Sequence, residues 1–163
     1  MSTYIFGYGA LINIKNIKEL KYNKNRTICP VSVTGLKRTF NVMSQNGQYK
    51  VLGVKDTPNK KQRCNGVLIK INTAEELAHL ITREKKYEPK WLNPKRILFN
   101  YDKKIELNPA DHIIYFYPTP SNTLTQKAAK ELDIRPNYLN NCLAGARDFG
   151  DVFLRDFVQT IQM

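Results

Sequence analysis

The residues best suited to chemistry fall at two places far apart in the chain. The first is Phe6-Gly7-Tyr8-Gly9-Ala10-Leu11, where two glycines bracket an aromatic directly after an apolar run. Glycine lets a backbone turn sharply and approach a ligand closely, and consecutive N–H groups after such a turn can cradle an anion. The same pattern also serves as a plain strand end. The second place is Thr82-Arg83-Glu84-Lys85-Lys86-Tyr87. Leu77, Leu80, Ile81 and Glu84 recur at helical spacing and so share one stripe of a helix. A carboxylate on an inward stripe either pairs with a base or does chemistry.

Other reactive groups are sparse. Cys29, Cys64 and Cys142 are widely separated, without a Cys-x-x-Cys pair, and His79 and His112 are the two imidazoles. An odd, scattered set of cysteines points to buried thiols in a reducing compartment, hence a cytoplasmic protein, and to neither a disulfide framework nor a metal site. Tyr115 and Tyr117 alternate on one strand and share a face, packing the core or lining a pocket. Arg38 and Arg83 are either solvated, salt-bridged or able to hold a substrate carboxylate.

The elements that must position these groups follow from pattern. Tyr4-Ile5-Phe6 reads as a strand running into the glycine turn. Ile28 to Met43 holds two alternating stretches separated at Gly35, where a bend or bulge fits. Tyr49 to Val54 and Gly66 to Ile71 are further strands. Thr73-Ala74-Glu75-Glu76 is a capping box opening a helix that runs to Lys86-Tyr87. Arg96 to Tyr101 and Ile105 to Leu107 read as a hairpin turning at Asp102-Lys103-Lys104. His112 to Tyr117 is a buried strand. Two helices follow, one opening near Pro136, the other near Asp151 with Val152, Phe153, Phe157, Val158 and Ile161 facing inward. Trp91 is expected to cover a core edge. Strands and helices do not alternate, so the pattern predicts an α+β fold with a curved, partly closed sheet and flanking helices.

With 163 residues, 42% hydrophobic and 25% charged, the chain is expected to form a single globular domain over 1–163. The formal charge of +12 draws anions, but no nucleic-acid signature accompanies it. Nucleic acid, phospholipid or an acidic small molecule would each suit the charge; no nucleic-acid partner is expected, a basic nucleic-acid-binding module being an alternative. Tyr4 to Ile14 lacks the basic flank and cleavage site of an export signal and is too short for a bilayer, so no membrane association is expected.

Taken together, Tyr8-Gly9-Ala10-Leu11 resembles the Tyr-Gly-Ser-Leu-type signature of the gamma-glutamylcyclotransferase superfamily, which includes the ChaC-type enzymes. Val33-Thr34-Gly35-Leu36-Lys37-Arg38-Thr39-Phe40 with Ser44, Asn65-Gly66-Val67-Leu68, Arg83-Glu84 with Tyr87, and Pro136-Asn137-Tyr138-Leu139 with Gly145, Gly150 and Phe153 resemble the segments that follow in that family, in the same order. The resemblance implies a small mixed-strand, β-barrel-like sheet flanked by helices. It implies a metal-free lyase or acyltransferase, without cofactor, that cyclises a γ-glutamyl compound to 5-oxoproline and releases the free amine. It also implies the site: Glu84 as general base and then acid, with Tyr8, Gly9, Ala10, Leu11, Tyr87 and Tyr117 binding substrate. Ala10 departs from the signature, which carries a hydroxyl or similar polar residue there. A non-catalytic member binding a small molecule is the alternative within the same fold.

Overall fold

The computed structural model describes residues 1–21, 23–44 and 46–162. Ten strands form two sheets among these residues. The larger contains β1 (Thr3–Gly7), β2 (Ile28–Thr34), β5 (Arg63–Ile71), β6 (Tyr87–Trp91), β7 (Ile97–Leu98) and β8 (His112–Pro118), in the order β6-β8-β1-β5-β2-β7. The smaller contains β3 (Leu36–Met43), β4 (Tyr49–Asp56), β9 (Asp133–Ile134) and β10 (Ile161–Gln162), in the order β10-β3-β4-β9. Both sheets are mixed: β1 pairs antiparallel with β5 but parallel with β8, and β4 pairs antiparallel with β3 but parallel with β9. Four helices flank them, α1 (Ala74–Arg83), α2 (Gln126–Glu131), α3 (Tyr138–Arg147) and α4 (Asp151–Gln159). This is the expected mixed α+β architecture.

Period-two alternation explains how the larger sheet is covered on both faces. Ile5, Val67, Ile69, Ile114 and Phe116 point into one cluster with Leu80 of α1 and Phe153 and Phe157 of α4. Tyr4, Phe6, Leu68, Ile113 and Tyr115 point into the other, with Val31, Val33, Leu92 and Ile97. Gly35, at φ 71°, separates β2 from β3 and lets the chain leave one sheet for the other. Gly145 is required for a different reason. A Cβ there would lie 2.5 Å from the Asn13 backbone nitrogen, so only glycine lets α3 seat on the segment leaving the Tyr8–Leu11 turn.

Several expectations need correction. The capped helix opens as predicted, with Thr73 Oγ1 accepting from the Glu76 N–H at 3.1 Å. It ends at Arg83, because Tyr87–Trp91 leaves as an edge strand against β8. Pro89 is tolerated there because an edge strand has ladder partners on one side only. The predicted hairpin beyond Arg96 does not form. Only Ile97 and Leu98 pair, with β2, while Phe99, Ile105 and Leu107 pack by side chain against the second cluster and Lys103 Nζ donates to the Ile28 carbonyl at 2.7 Å. Trp91 is 66% exposed, and Val152 and Val158 face outward rather than in. Helix α2 and β9 carried no apolar period and were not foreseen. No helix among the described residues is long and apolar enough to cross a membrane.

Gly145→Ala is expected to destabilise the fold by about 1–3 kcal/mol, since backbone and not a flexible side chain must give way. Urea unfolding checks this; an unchanged midpoint would mean that α3 does not bear on Asn13.

Candidate active site

The Tyr8–Leu11 turn and Glu84, more than seventy residues apart in sequence, line one cavity of about 260 Å³. It opens where the two sheets part. Val51 and Leu52 of β4 form one wall, and Phe116 of β8 with Tyr87 of β6 form the other. Arg83 to Lys86, beyond the end of α1, and Arg135 and Tyr138, at the start of α3, complete it.

Tyrosine hydroxyls hold this gap at its width. The Tyr87 hydroxyl donates to the Leu52 carbonyl at 2.7 Å, and the Leu52 N–H donates to the Tyr138 hydroxyl at 3.3 Å. The edge of β4 is thus satisfied without a neighbouring strand at that point. Tyr8 donates to the Phe116 carbonyl at 2.6 Å and so pins the turn to β8. Burial pushes all three phenols well above their ordinary pKa, so they remain protonated at neutral pH.

Behind the turn lies Arg38, fully buried and without a carboxylate within ion-pair distance among the described residues. Its guanidinium donates to the Tyr8 carbonyl at 3.2 Å, the Asn65 carbonyl at 2.6 Å, Asn65 Oδ1 at 2.5 Å and Thr160 Oγ1 at 2.7 Å, and it stacks 4.0 Å from the Phe157 ring. With the Tyr8 carbonyl drawn toward Arg38, the trans peptide directs the Gly9 N–H the opposite way. The Ile12 N–H then bonds the Gly9 carbonyl at 3.0 Å, forming a single 3₁₀ turn over Ala10–Ile12. The first donors of such a turn have no acceptor inside it. Gly9, Ala10 and Leu11 all line the cavity, and the methyl of Ala10 adds no polar group there.

Glu84 stands at the point where α1 turns into β6. Its N–H bonds the Leu80 carbonyl at 2.9 Å, and its own carbonyl accepts from the Tyr87 N–H at 3.0 Å. Its side chain is 16% exposed, and Arg83 Nη1 donates to its Oε1 at 2.5 Å. Arg83 also approaches Glu19 at 3.6 Å. Burial is the largest influence on the carboxyl and raises its pKa; Arg83 opposes this, and the negative charge of Glu19 adds to it. The net direction is upward.

Of the expected site residues, Tyr8, Gly9, Ala10, Leu11, Glu84 and Tyr87 meet in the cavity, and Tyr117 does not. Strand alternation turns Tyr117 to the opposite face of β8, against the second cluster, where Lys90 Nζ lies 3.7 Å from its ring centre. Phe116 lines the cavity in its place. Arg135, Lys86, Leu52 and Tyr138 also line it and were not singled out as site residues. Tyr138 lay within the Pro136-Asn137-Tyr138-Leu139 segment, but Arg135 had no signal beyond its charge. The three thiols are buried and unpaired, and burial raises the pKa of each, with Cys142 pushed up to about 12. None is poised as a thiolate nucleophile. Among the described residues, no group of three or more His, Cys, Asp or Glu side chains could hold a metal ion.

The arrangement is a mixed α+β scaffold with a half-buried carboxylate and a glycine turn on one cavity, and solved structures share the scaffold. A gamma-glutamyl cyclotransferase superposes with a TM-score of 0.69 at 16% identity, covering 98% of this chain and 88% of that one. An uncharacterized protein from Homo sapiens gives 0.67 at 16% identity over the same shares. A yeast gamma-glutamyl cyclotransferase specific to glutathione gives 0.62 at 12% identity, covering 98% of this chain and 97% of that one. No family model and no curated protein matches the chain. The chain has the gamma-glutamyl cyclotransferase fold.

Arg38→Met removes the donor to six acceptors, among them the buried Tyr8 and Asn65 carbonyls and Asn65 Oδ1. Each buried acceptor left unpaired costs about 1–3 kcal/mol. The variant is expected to lose about 3 kcal/mol or more in chemical denaturation; a loss under about 1 kcal/mol would show that Arg38 does not hold the turn.

Proposed function

We propose that this protein is a gamma-glutamyl cyclotransferase-type enzyme that converts a γ-glutamyl compound to 5-oxoproline and a free amine. The observation that carries the reading is the meeting of Glu84 and the Tyr8–Leu11 turn in one cavity. In this mechanism ionised Glu84 takes a proton from the substrate's α-ammonium group. The freed amine attacks its own γ-carbonyl, and the oxyanion that develops, or the α-carboxylate, is met by the backbone donors of Gly9 to Leu11. Protonated Glu84 then returns the proton to the departing nitrogen, so one carboxyl serves as base and acid. The attack is intramolecular, so folding the substrate into the near-attack shape supplies much of the acceleration. The cavity lies just under the usual range of roughly 300–1,000 Å³ for ligand sites, which suits a substrate of amino-acid or short-peptide size. Ala10 leaves the backbone donors in place and removes a side-chain contact worth on the order of 1 kcal/mol.

Glu84→Gln keeps the shape of the carboxyl but cannot accept the proton. Its 5-oxoproline release is expected to fall at least about 10²–10⁴-fold. Stability separates this from a purely structural Glu84. Because burial raises the folded pKa above the unfolded one, the folded state gains a proton in that window and loses stability as pH rises through it. Ionised Glu84 thus costs stability at neutral pH, and Glu84→Gln should melt at or above the wild-type temperature. A Glu84 that served only as the partner of Arg83 would instead lose about 3–5 kcal/mol on substitution if that pair is effectively buried, with turnover per folded molecule retained. Near-wild-type turnover by a normally melting Glu84→Gln protein would falsify the mechanism.

The same raised pKa sets the pH profile. The base works only when ionised, so kcat/KM should fall as pH drops through the folded pKa of Glu84. That acid limb should lie above the ~4.3 of an ordinary glutamate. Initial rates from pH 4 to 8 check this, and a limb at or below that value would contradict a desolvated base.

A further inference from the structure

The mouth of the cavity carries a charge imbalance that the cyclisation itself does not use. Arg83, Lys85, Lys86 and Arg135 line it against a single carboxylate, Glu84. Two of the four cations are committed: Arg83 holds Glu84 and approaches Glu19, and Lys86 Nζ donates to the Met43 carbonyl at 2.7 Å. Lys85 and Arg135 are exposed, and no carboxylate lies within ion-pair distance of either among the described residues. The backbone of Arg135 is nevertheless fixed. Its N–H donates to the Lys50 carbonyl at 3.1 Å, its carbonyl accepts from the Tyr138 N–H at 3.1 Å, and its guanidinium stands 5.4 Å from the Tyr138 ring centre.

Resting on the cyclisation proposed above, we infer that Arg135, assisted by Lys85, is a specificity-determining residue. It receives a free carboxylate on the leaving amine, so the substrate is a γ-glutamyl amino acid or peptide rather than a γ-glutamyl derivative of a neutral amine. The γ-glutamyl end must lie inward, where Glu84 and the turn meet its amine and carbonyl. The leaving amine departs toward solvent, past the exposed pair. A guanidinium matches a carboxylate with two parallel N–H donors, and stacking on a ring limits the orientations it must give up. Lys85 adds charge without that geometry, so Arg135 carries most of the discrimination. At an exposed rim the effect is moderate and weakens with salt.

The test compares γ-L-glutamylglycine with γ-L-glutamylglycinamide, which differ only in carboxylate against carboxamide. The ratio of kcat/KM, acid over amide, is expected to be about ten or more for the wild type at low salt, to fall about tenfold in Arg135→Gln and by less in Lys85→Gln, and to act mainly through KM. Lys60→Gln, which removes an equal charge from a distant loop, should leave the ratio unchanged. Calorimetric binding of both compounds to Glu84→Gln, with and without Arg135→Gln, reads the same preference without turnover. A wild-type ratio near one, or an Arg135→Gln effect equal on both compounds, overturns the inference while leaving the cyclisation standing. Absent turnover with a carboxylate preference in binding that depends on Arg135 supports the inference and sinks the cyclisation. Binding without that preference, or no binding of either compound, overturns the inference.

Discussion

A single buried guanidinium ties the site to the rest of the fold. Arg38 reaches from β3 to the Tyr8 carbonyl, to both oxygens of Asn65 on β5 and to Thr160 at the end of α4. Few residue types could do this. A buried cation without a carboxylate is expensive unless its donors are filled, and here carbonyl, amide and hydroxyl oxygens and the Phe157 ring fill them, with only Nε unpartnered. Asn65 extends the network, since its Nδ2 donates to the Phe153 carbonyl at 2.9 Å and to the Tyr101 hydroxyl at 3.2 Å, and Tyr101 donates to Asp156 at 2.6 Å. Small sheet, large sheet and last helix thus meet at one charge, and the direction of the Gly9 N–H follows from it.

The cavity is a consequence of the same geometry. The two sheets separate beside Leu52, and the edge of β4 is satisfied by phenol groups that span the gap. A strand in that place would have closed the cavity; hydroxyls close the hydrogen bonds and leave the space. Beside that space the Glu84 side chain is packed with only 16% of it exposed, and this burial raises its pKa and makes the ionised carboxylate a cost to the folded state.

The basic surplus of the chain acquires local meaning at this cavity. A net charge by itself reports solubility and steering, and the lysines and arginines are scattered along the sequence. Folding gathers four of them around one carboxylate and then consumes two in internal contacts. What remains at the cavity is the exposed pair Lys85 and Arg135.

Local pattern was enough to read much of this molecule. The strand into Gly7-Tyr8-Gly9, the two strands that flank Gly35, the Thr73 cap and the helices after Pro136 and Gly150 rest on turn chemistry and periodicity, which act between near neighbours. The Tyr8 to Leu11 turn and the inward stripe of Glu84 were legible for the same reason, whereas Tyr87 was marked only by the family resemblance. Three features needed the tertiary structure. Alternation says that Tyr115 and Tyr117 share a face and Phe116 takes the other, but not which face meets the cavity; that depends on how β8 lies beside β1 and against β4. The helix pattern ran on past Arg83, yet pairing of Tyr87–Trp91 with β8 outweighed it and set Glu84 at a helix end, not within it. Arg135 and Arg38 are ordinary basic residues in sequence, and only the packing of distant segments leaves one at a cavity mouth and buries the other behind the turn.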